Sequence, residues 1–205
     1  MNVPNQYLSE IPDGLTFGYG PFREVRLSVD GLLAGSVFPY VVVFTGGIAP
    51  TLWRPITAYG ALDLPTYYLD LTPFIPMLTD GKPHNISLDV VSAESDHSIN
   101  QNWYVTANLQ VLTNAKSSKR TTGNMVVYDV QPYAHTSTSG TVAKNGDLDF
   151  TVKANRDIHI ASNLITGDGE KIQVVWSQSL SFTNVQTYSG NATIQVNIPG
   201  LHCLT

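Results

Sequence analysis

Charged side chains are scarce in this chain, and four of its most chemically capable residues fall in two short runs. Arg23 and Glu24 stand next to each other at the head of an apolar stretch. Trp53 and Arg54 stand together in a Gly/Pro-rich run, Thr45 to Ile56. A carboxylate can activate or orient a water. A guanidinium is a fixed fork of donors suited to a carboxylate or an amide oxygen, and an indole beside it offers a flat wall for a ring. Burying such charges is costly unless they are paired. A plainer arrangement satisfies the same residues. Arg23 and Glu24 would face opposite sides of a strand, one toward solvent, and Arg54 would pin a loop through backbone carbonyls.

Other chemistries find no support. There is no Gly-x-Ser-x-Gly elbow and no Gly-x-x-x-x-Gly-Lys loop. Gly18-Tyr19-Gly20 precedes no helical pattern, so it is not a dinucleotide fingerprint. The five histidines are scattered, and Cys203 is the single cysteine, which excludes an internal disulfide and multi-cysteine zinc sites. The scattered histidines make a metal site unexpected, although one could still assemble in space. Lys and Arg total 11 against 16 acidic residues, a net charge of −5, so a clustered positive face for nucleic acid is not available. No apolar run approaches the roughly 20 residues of a membrane span. Met1-Asn2-Val3-Pro4 carries neither a basic nor an apolar leader region, so no signal peptide is expected at this start.

The elements that must position these residues are strands. Val, Ile, Thr and the aromatics make up 72 of 205 residues, against only four Glu and six Lys. That balance suits a pleated, half-buried surface and not helices. Val25, Leu27 and Val29 alternate with polar residues up to Asp30-Gly31, and Leu32 to Val37 follows, which predicts a hairpin with a tight turn. Further alternating runs predict strands at Tyr67–Leu71, Ile86–Val90, Trp103–Val111, Val126–Val130, Leu148–Val152, Ile158–Ile160, Ile172–Trp176, Leu180–Phe182 and Ile194–Ile198. Asp80-Gly81, Asn145-Gly146 and Asp168-Gly169 punctuate them. One helical turn is expected at Thr72–Leu78, with Thr72 as cap and Pro73 at the first position. The expected fold is an all-β antiparallel sandwich of jelly-roll type, one unit over residues 1–205. Two glycosylation acceptors, Asn85-Ile86-Ser87 and Asn191-Ala192-Thr193, favour an extracellular or secretory product.

The runs GPFREV (20–25), TGGIAPTLWRPI (45–56), LDLPTYYLDLTPF (62–74), DGKPH (80–84) and NWYVTANLQV (102–111) resemble the peptide:N-glycosidase A family of plant and fungal amidases. So does VVWSQSLSFTNVQTYSGNATIQV (174–196). The resemblance extends over nearly the whole chain. It implies hydrolysis of the amide between an N-linked glycan and its asparagine, with no cofactor. The substrate would be an N-glycosylated peptide. In the related bacterial enzyme, peptide:N-glycosidase F, two jelly rolls lie side by side. Nothing in these 205 residues resembles the first of them, so the chain is expected to correspond to the second and to need the first as partner. On the positions here the resemblance implies Glu24 as carboxylate, with Arg23 and Arg54 as donors or clamps. Trp53 becomes a stacking wall, with Tyr59 and Asp63 in substrate binding. Two rival readings remain. One is a glycan-binding sandwich without catalysis, using Trp53, Tyr59, Tyr67 and Tyr68. The other is a structural jelly-roll subunit.

Overall fold

A computed structural model describes residues 2–39, 66–100, 103–113 and 117–204. Its strands are β1 (Glu24–Val29), β2 (Leu32–Val37), β3 (Ile86–Val91), β4 (Thr122–Val130), β5 (His135–Val142), β6 (Leu148–Ile165), β7 (Lys171–Ser189) and β8 (Ile194–Leu204). They form two antiparallel sheets. One has the order β2-β1-β3. The other runs β4-β6-β7-β8, with β5 also paired to β6. The chain is an all-β antiparallel sandwich, as its composition predicts.

The local chemistry explains the connections. The β1–β2 hairpin turns on Asp30 (φ 50°) and Gly31 (φ 82°), two successive left-handed residues, which is the turn that follows the twist of the flanking strands. Gly81, Gly146 and Gly169 also sit at positive φ, at the punctuation points expected from sequence. The helical turn is present as a 3₁₀ turn, Thr72–Phe74, running into α1 (Ile75–Leu78). Thr72 does not cap it. Its hydroxyl and its amide both donate to the Asp70 carboxylate instead.

Several expectations require correction. Leu148–Val152 and Ile158–Ile160 belong to one 18-residue strand, and Ile172–Trp176 and Leu180–Phe182 to one 19-residue strand. β5 was not foreseen, because His135-Thr-Ser-Thr-Ser-Gly-Thr has no apolar alternation. Residues 67–71 and 103–111 form no strand, although they alternate well.

The sheets pack through two apolar clusters. One joins Val3, Phe22 and Phe38 to Leu148, Phe150, Val152, Leu180 and Phe182. The other joins Val29, Ala34 and Phe74 to Ile158 and Ile160. Each cluster draws on both sheets or their flanking segments, so neither sheet has its own core.

His84 ties the β1–β2 turn to the entry of β3. Its Nδ1 lies 2.7 Å from Asp30 Oδ2 and its Nε2 3.0 Å from Asp80 Oδ1. The Asp30 hydrogen bond, then the one to Asp80, raise its pKa above the usual 6.5. Asp30 and Asp80 lie below 3.8, held there first by the backbone amides of Asn85 and Lys82 respectively. The imidazolium's contribution is therefore complete below pH 6.5 and lost as pH rises through the raised value. The carboxylates' contribution is complete above pH 3.8 and lost on acidification through the lowered values. The Tm difference between the parent and His84→Gln is expected to peak in mildly acidic buffer and to shrink on either side. A difference independent of pH would show that the imidazole's charge has no part in the clamp.

Candidate functional site

Arg23 and Glu24 are neighbours in sequence but enter separate polar cages. Tyr19 (φ 67°) and Gly20 (φ 58°) curl the chain so that its carbonyls converge ahead of β1. Arg23 Nη1 donates to the carbonyls of Tyr19 (2.8 Å), Gly20 (2.9 Å) and Phe22 (2.6 Å). Burial lowers the Arg23 pKa, and the nearby Glu94 carboxylate offsets part of that. Arg23 thus closes its own loop.

Glu24, at the first position of β1, is 1% exposed. Its Oε1 accepts from Ser36 Oγ at 2.6 Å and from Arg156 Nε at 2.8 Å, with Arg156 Nη2 at 2.6 Å. Its Oε2 accepts from the Ala134 amide at 3.3 Å. Arg156 spends its remaining donors on the carbonyls of Gln131 and Pro132. Beside the pair, the Gln178 side-chain amide exchanges two hydrogen bonds with the Ser36 backbone, at 3.1 and 2.8 Å. This polar lock lies on the inward face of β6, between Ala154 of one apolar cluster and Ile158 of the other. Both charges are sealed and paired, the condition under which a buried ion pair is tolerated. Glu24 has no oxygen turned toward solvent, so in this arrangement it fastens β1, β2, β6 and the 131–134 crossing to one another.

Among the described residues, then, Glu24, expected as the carboxylate, and Arg23, expected as a donor or clamp, are both buried and turned to separate partners, with Glu24 lying behind Arg156 and Ala134, which line an open depression. Trp53, Arg54, Tyr59 and Asp63 lie outside the described residues. Asn85, just before β3, and Asn191, in the β7–β8 turn at φ 57°, are both exposed. Tyr67 and Tyr68 are exposed as well.

Arg156 is the residue that sequence reasoning missed. A signal for it existed. Leu148, Phe150, Val152, Ala154, Ile158 and Ile160 share one parity, and position 156 continues it. Reading the two runs as a single strand places a lone cation on the apolar face, where it demands a buried acid.

An open depression of about 850 Å³ lies where the 131–134 crossing passes over β6 and where β8 stops beside β7. Pairing across the sheet aligns Asp129, His159 and Ser177 in one row, and His159 Nδ1 meets Ser177 Oγ at 2.7 Å. Asp157 and Ser179 form the next row. The rim is rigid. Tyr133 is stacked on His97 at 3.7 Å and lies under the Arg26 guanidinium at 4.3 Å, while Arg26 pairs with Asp89 and bonds to the Pro132 carbonyl. Tyr133 thus has an imidazole and a guanidinium against its ring, yet keeps 40% of its surface exposed at the depression. Among the described residues no three His, Cys, Asp or Glu side chains are grouped to hold a metal. No helix among them is long and apolar enough to cross a membrane.

Comparison with known proteins adds the following. A family model described as peptide N-acetyl-β-D-glucosaminyl asparaginase amidase A matches residues 1–131, and a PNGase_A C-terminal domain model matches residues 149–200. The chain is 35% identical over 224 aligned residues to peptide-N4-(N-acetyl-β-glucosaminyl)asparagine amidase A of Prunus dulcis. That alignment takes in the whole chain and 37% of the relative's length. No solved structure matches. Glu24 and Ser36 fall in the first matched segment, Arg156 and Gln178 in the second, so the polar lock fastens the two segments together.

Proposed function

Because the chain belongs to the peptide N-acetyl-β-D-glucosaminyl asparaginase amidase A family, we propose that it forms part of a glycoamidase acting on N-glycosylated peptides. The observation that carries this reading is the succession of both family matches, in order, along these residues. The reaction is acyl transfer to water. Water adds to the side-chain carbonyl of the glycosylated asparagine, the C–N bond breaks, and the nitrogen leaves protonated on the sugar. An aspartate and a glycosylamine result. Such a step needs an acid–base carboxylate and donors for the developing oxyanion.

Since Glu24 is sealed, we assign it and Arg23 to holding the scaffold. The substrate-facing roles go to the Trp53–Asp63 segment: Arg54 as donor, Trp53 and Tyr59 as walls, Asp63 as carboxylate. The chain spans 37% of the relative's length. A further jelly roll, corresponding to what the relative has beyond this span, would supply the opposite wall and another carboxylate. The exposed Asn85 and Asn191 support glycosylation in the secretory pathway.

The test incubates the 205-residue chain with an N-glycopeptide and follows Asn-to-Asp conversion by mass spectrometry. Little or no turnover is expected from this chain alone, with conversion appearing when it is produced joined to the remainder of a relative-length polypeptide. Robust turnover by the chain alone would remove the need for the second wall. The sealed Glu24 gives the non-catalytic reading one specific support, and glycan binding without conversion in the joined protein would select it.

A further inference from the structure

The outer face of the larger sheet carries polar side chains on a regular grid where the 131–134 crossing passes over it. Directly opposed residues of antiparallel strands share a face. Asp129, His159 and Ser177 therefore form one row, Asp157 stands in the next, and His135 and Asn155 form a third. All six are exposed and line the depression of about 850 Å³. Neighbouring positions lie about 4.8 Å apart across the strands and about 6.8 Å apart along one. The floor is firm, because β6 and β7 pair without a break beneath it. The wall is tied down as well. The Pro132 carbonyl accepts from Arg26 and Arg156, and the Ala134 amide donates to Glu24. The depression is thus formed before any ligand arrives, and its volume falls within the range of small-molecule sites.

The chemistry of the lining selects what fits. The side chains of Asp129, Asn155 and Asp157 take no partner among the described residues. His159 uses Nδ1 on Ser177, which leaves its Nε2 open. Arg156 is the one cation in the lining, and its donors are spent on Glu24 and on the Gln131 and Pro132 carbonyls. An anion therefore meets two carboxylates and no free guanidinium. A metal ion is not served either, since Asp129 and Asp157 stand on different strands in different rows and no three ligating side chains are grouped among the described residues. Hydroxyl groups suit the grid. Each donates to a carboxylate while accepting from an amide, an imidazole or a serine, and several spread over a ring reach several rows at once. The exposed part of Tyr133 adds an apolar side for the carbon face of such a ring.

We propose that this depression binds an uncharged saccharide chain, laid over β6 and β7 against Tyr133. It is a holding site with no part in breaking the amide, which belongs to the Trp53–Asp63 segment. The choice of a saccharide over other polyols rests on the glycoamidase reading, whose substrate carries a chain of sugars beyond the bond that is cut. The two carboxylates give the site a preference: it accepts neutral sugars and turns away chains that end in acidic ones.

NMR titration of the full chain with a free oligomannose glycan tests this. The probe has no asparagine, so turnover does not enter. The imidazole signals of His135 and His159 are expected to shift saturably, while those of His84, which is tied to Asp30 and Asp80, stay in place. Asn155→Ala combined with Asp157→Ala is expected to weaken binding at least about tenfold, as is replacing the probe by a glycan ending in sialic acid. Both substituted residues are exposed, and unmoved His84 signals verify that the variant keeps its fold. No shift at His135 and His159 up to about 10 mM glycan would overturn the proposal. Equal binding by parent and variant would do the same, and so would a response to spermidine in place of the glycan, which would mark a cation site. Failure of the glycoamidase reading looks different: binding here with no conversion by the joined protein supports this site and removes the reaction. Conversion with His159 unmoved removes this site and leaves the reaction standing.

Discussion

Glu24→Ala is expected to lower the stability of the chain by about 3–5 kcal/mol, the cost of leaving one member of a buried pair without its partner. The variant leaves the Arg156 guanidinium, itself 2% exposed, with only the Gln131 and Pro132 carbonyls and no counter-charge, and releases the Ser36 hydroxyl and the Ala134 amide. Glu24→Gln also falls short. Its oxygen can still accept from Ser36 and Arg156, but its amide nitrogen then meets the Ala134 N–H, donor against donor, and the charge that balanced the guanidinium is gone. Removing both charges behaves differently. Glu24→Leu combined with Arg156→Met replaces the pair by apolar groups of similar reach, and its cost is expected to fall well below that of either single change. Urea unfolding of the four proteins measures this without substrate. A Glu24→Ala variant as stable as the parent would end the anchoring role and return Glu24 to the list of substrate-facing acids.

That comparison marks where sequence reading reached its limit. Alternation plus Asp30-Gly31 was enough to place the first hairpin, because turn chemistry and side-chain period are local properties. Alternation also marked Trp103–Val111 and Tyr67–Leu71, and there it misled. It reports that a segment could have two unlike faces, not that a neighbouring strand exists. β5 shows the converse: its ladder with β6 is complete, while its residues are too polar and too exposed to display a period. The scarcity of charge correctly singled out Arg23 and Glu24 as residues that must have partners. Their partners were beyond reach, since Arg156 lies 132 positions from Glu24 and pairs through the packing of two sheets. Arg23 did not need a distant partner at all, because three carbonyls within four residues satisfy one of its nitrogens.

The polar lock and the apolar clusters imply that the two family-matched segments melt together, and Phe22 is the residue that tests it most directly. Phe22 is 1% exposed, sits edge-on to Phe38 at 4.8 Å and lies 5.3 Å from Phe182. Phe22 and Phe38 belong to the first matched segment and Phe182 to the second. Truncating a buried Phe to Ala costs about 3–5 kcal/mol through lost transfer energy and the cavity left behind. For a domain of this size each kcal/mol lowers Tm by about 2–4 °C, so a fall of roughly 6–20 °C is expected for Phe22→Ala. The drop should come as one transition, with far-ultraviolet and near-ultraviolet circular dichroism superimposing, because neither sheet retains a core once the other has gone. Phe22→Ala with Phe182→Ala should cost less than the sum of the two, since the second truncation enlarges a cavity the first has opened. Separate transitions for the two segments, or strict additivity of the two truncations, would show instead that each segment keeps a core of its own and that the contact between them is incidental.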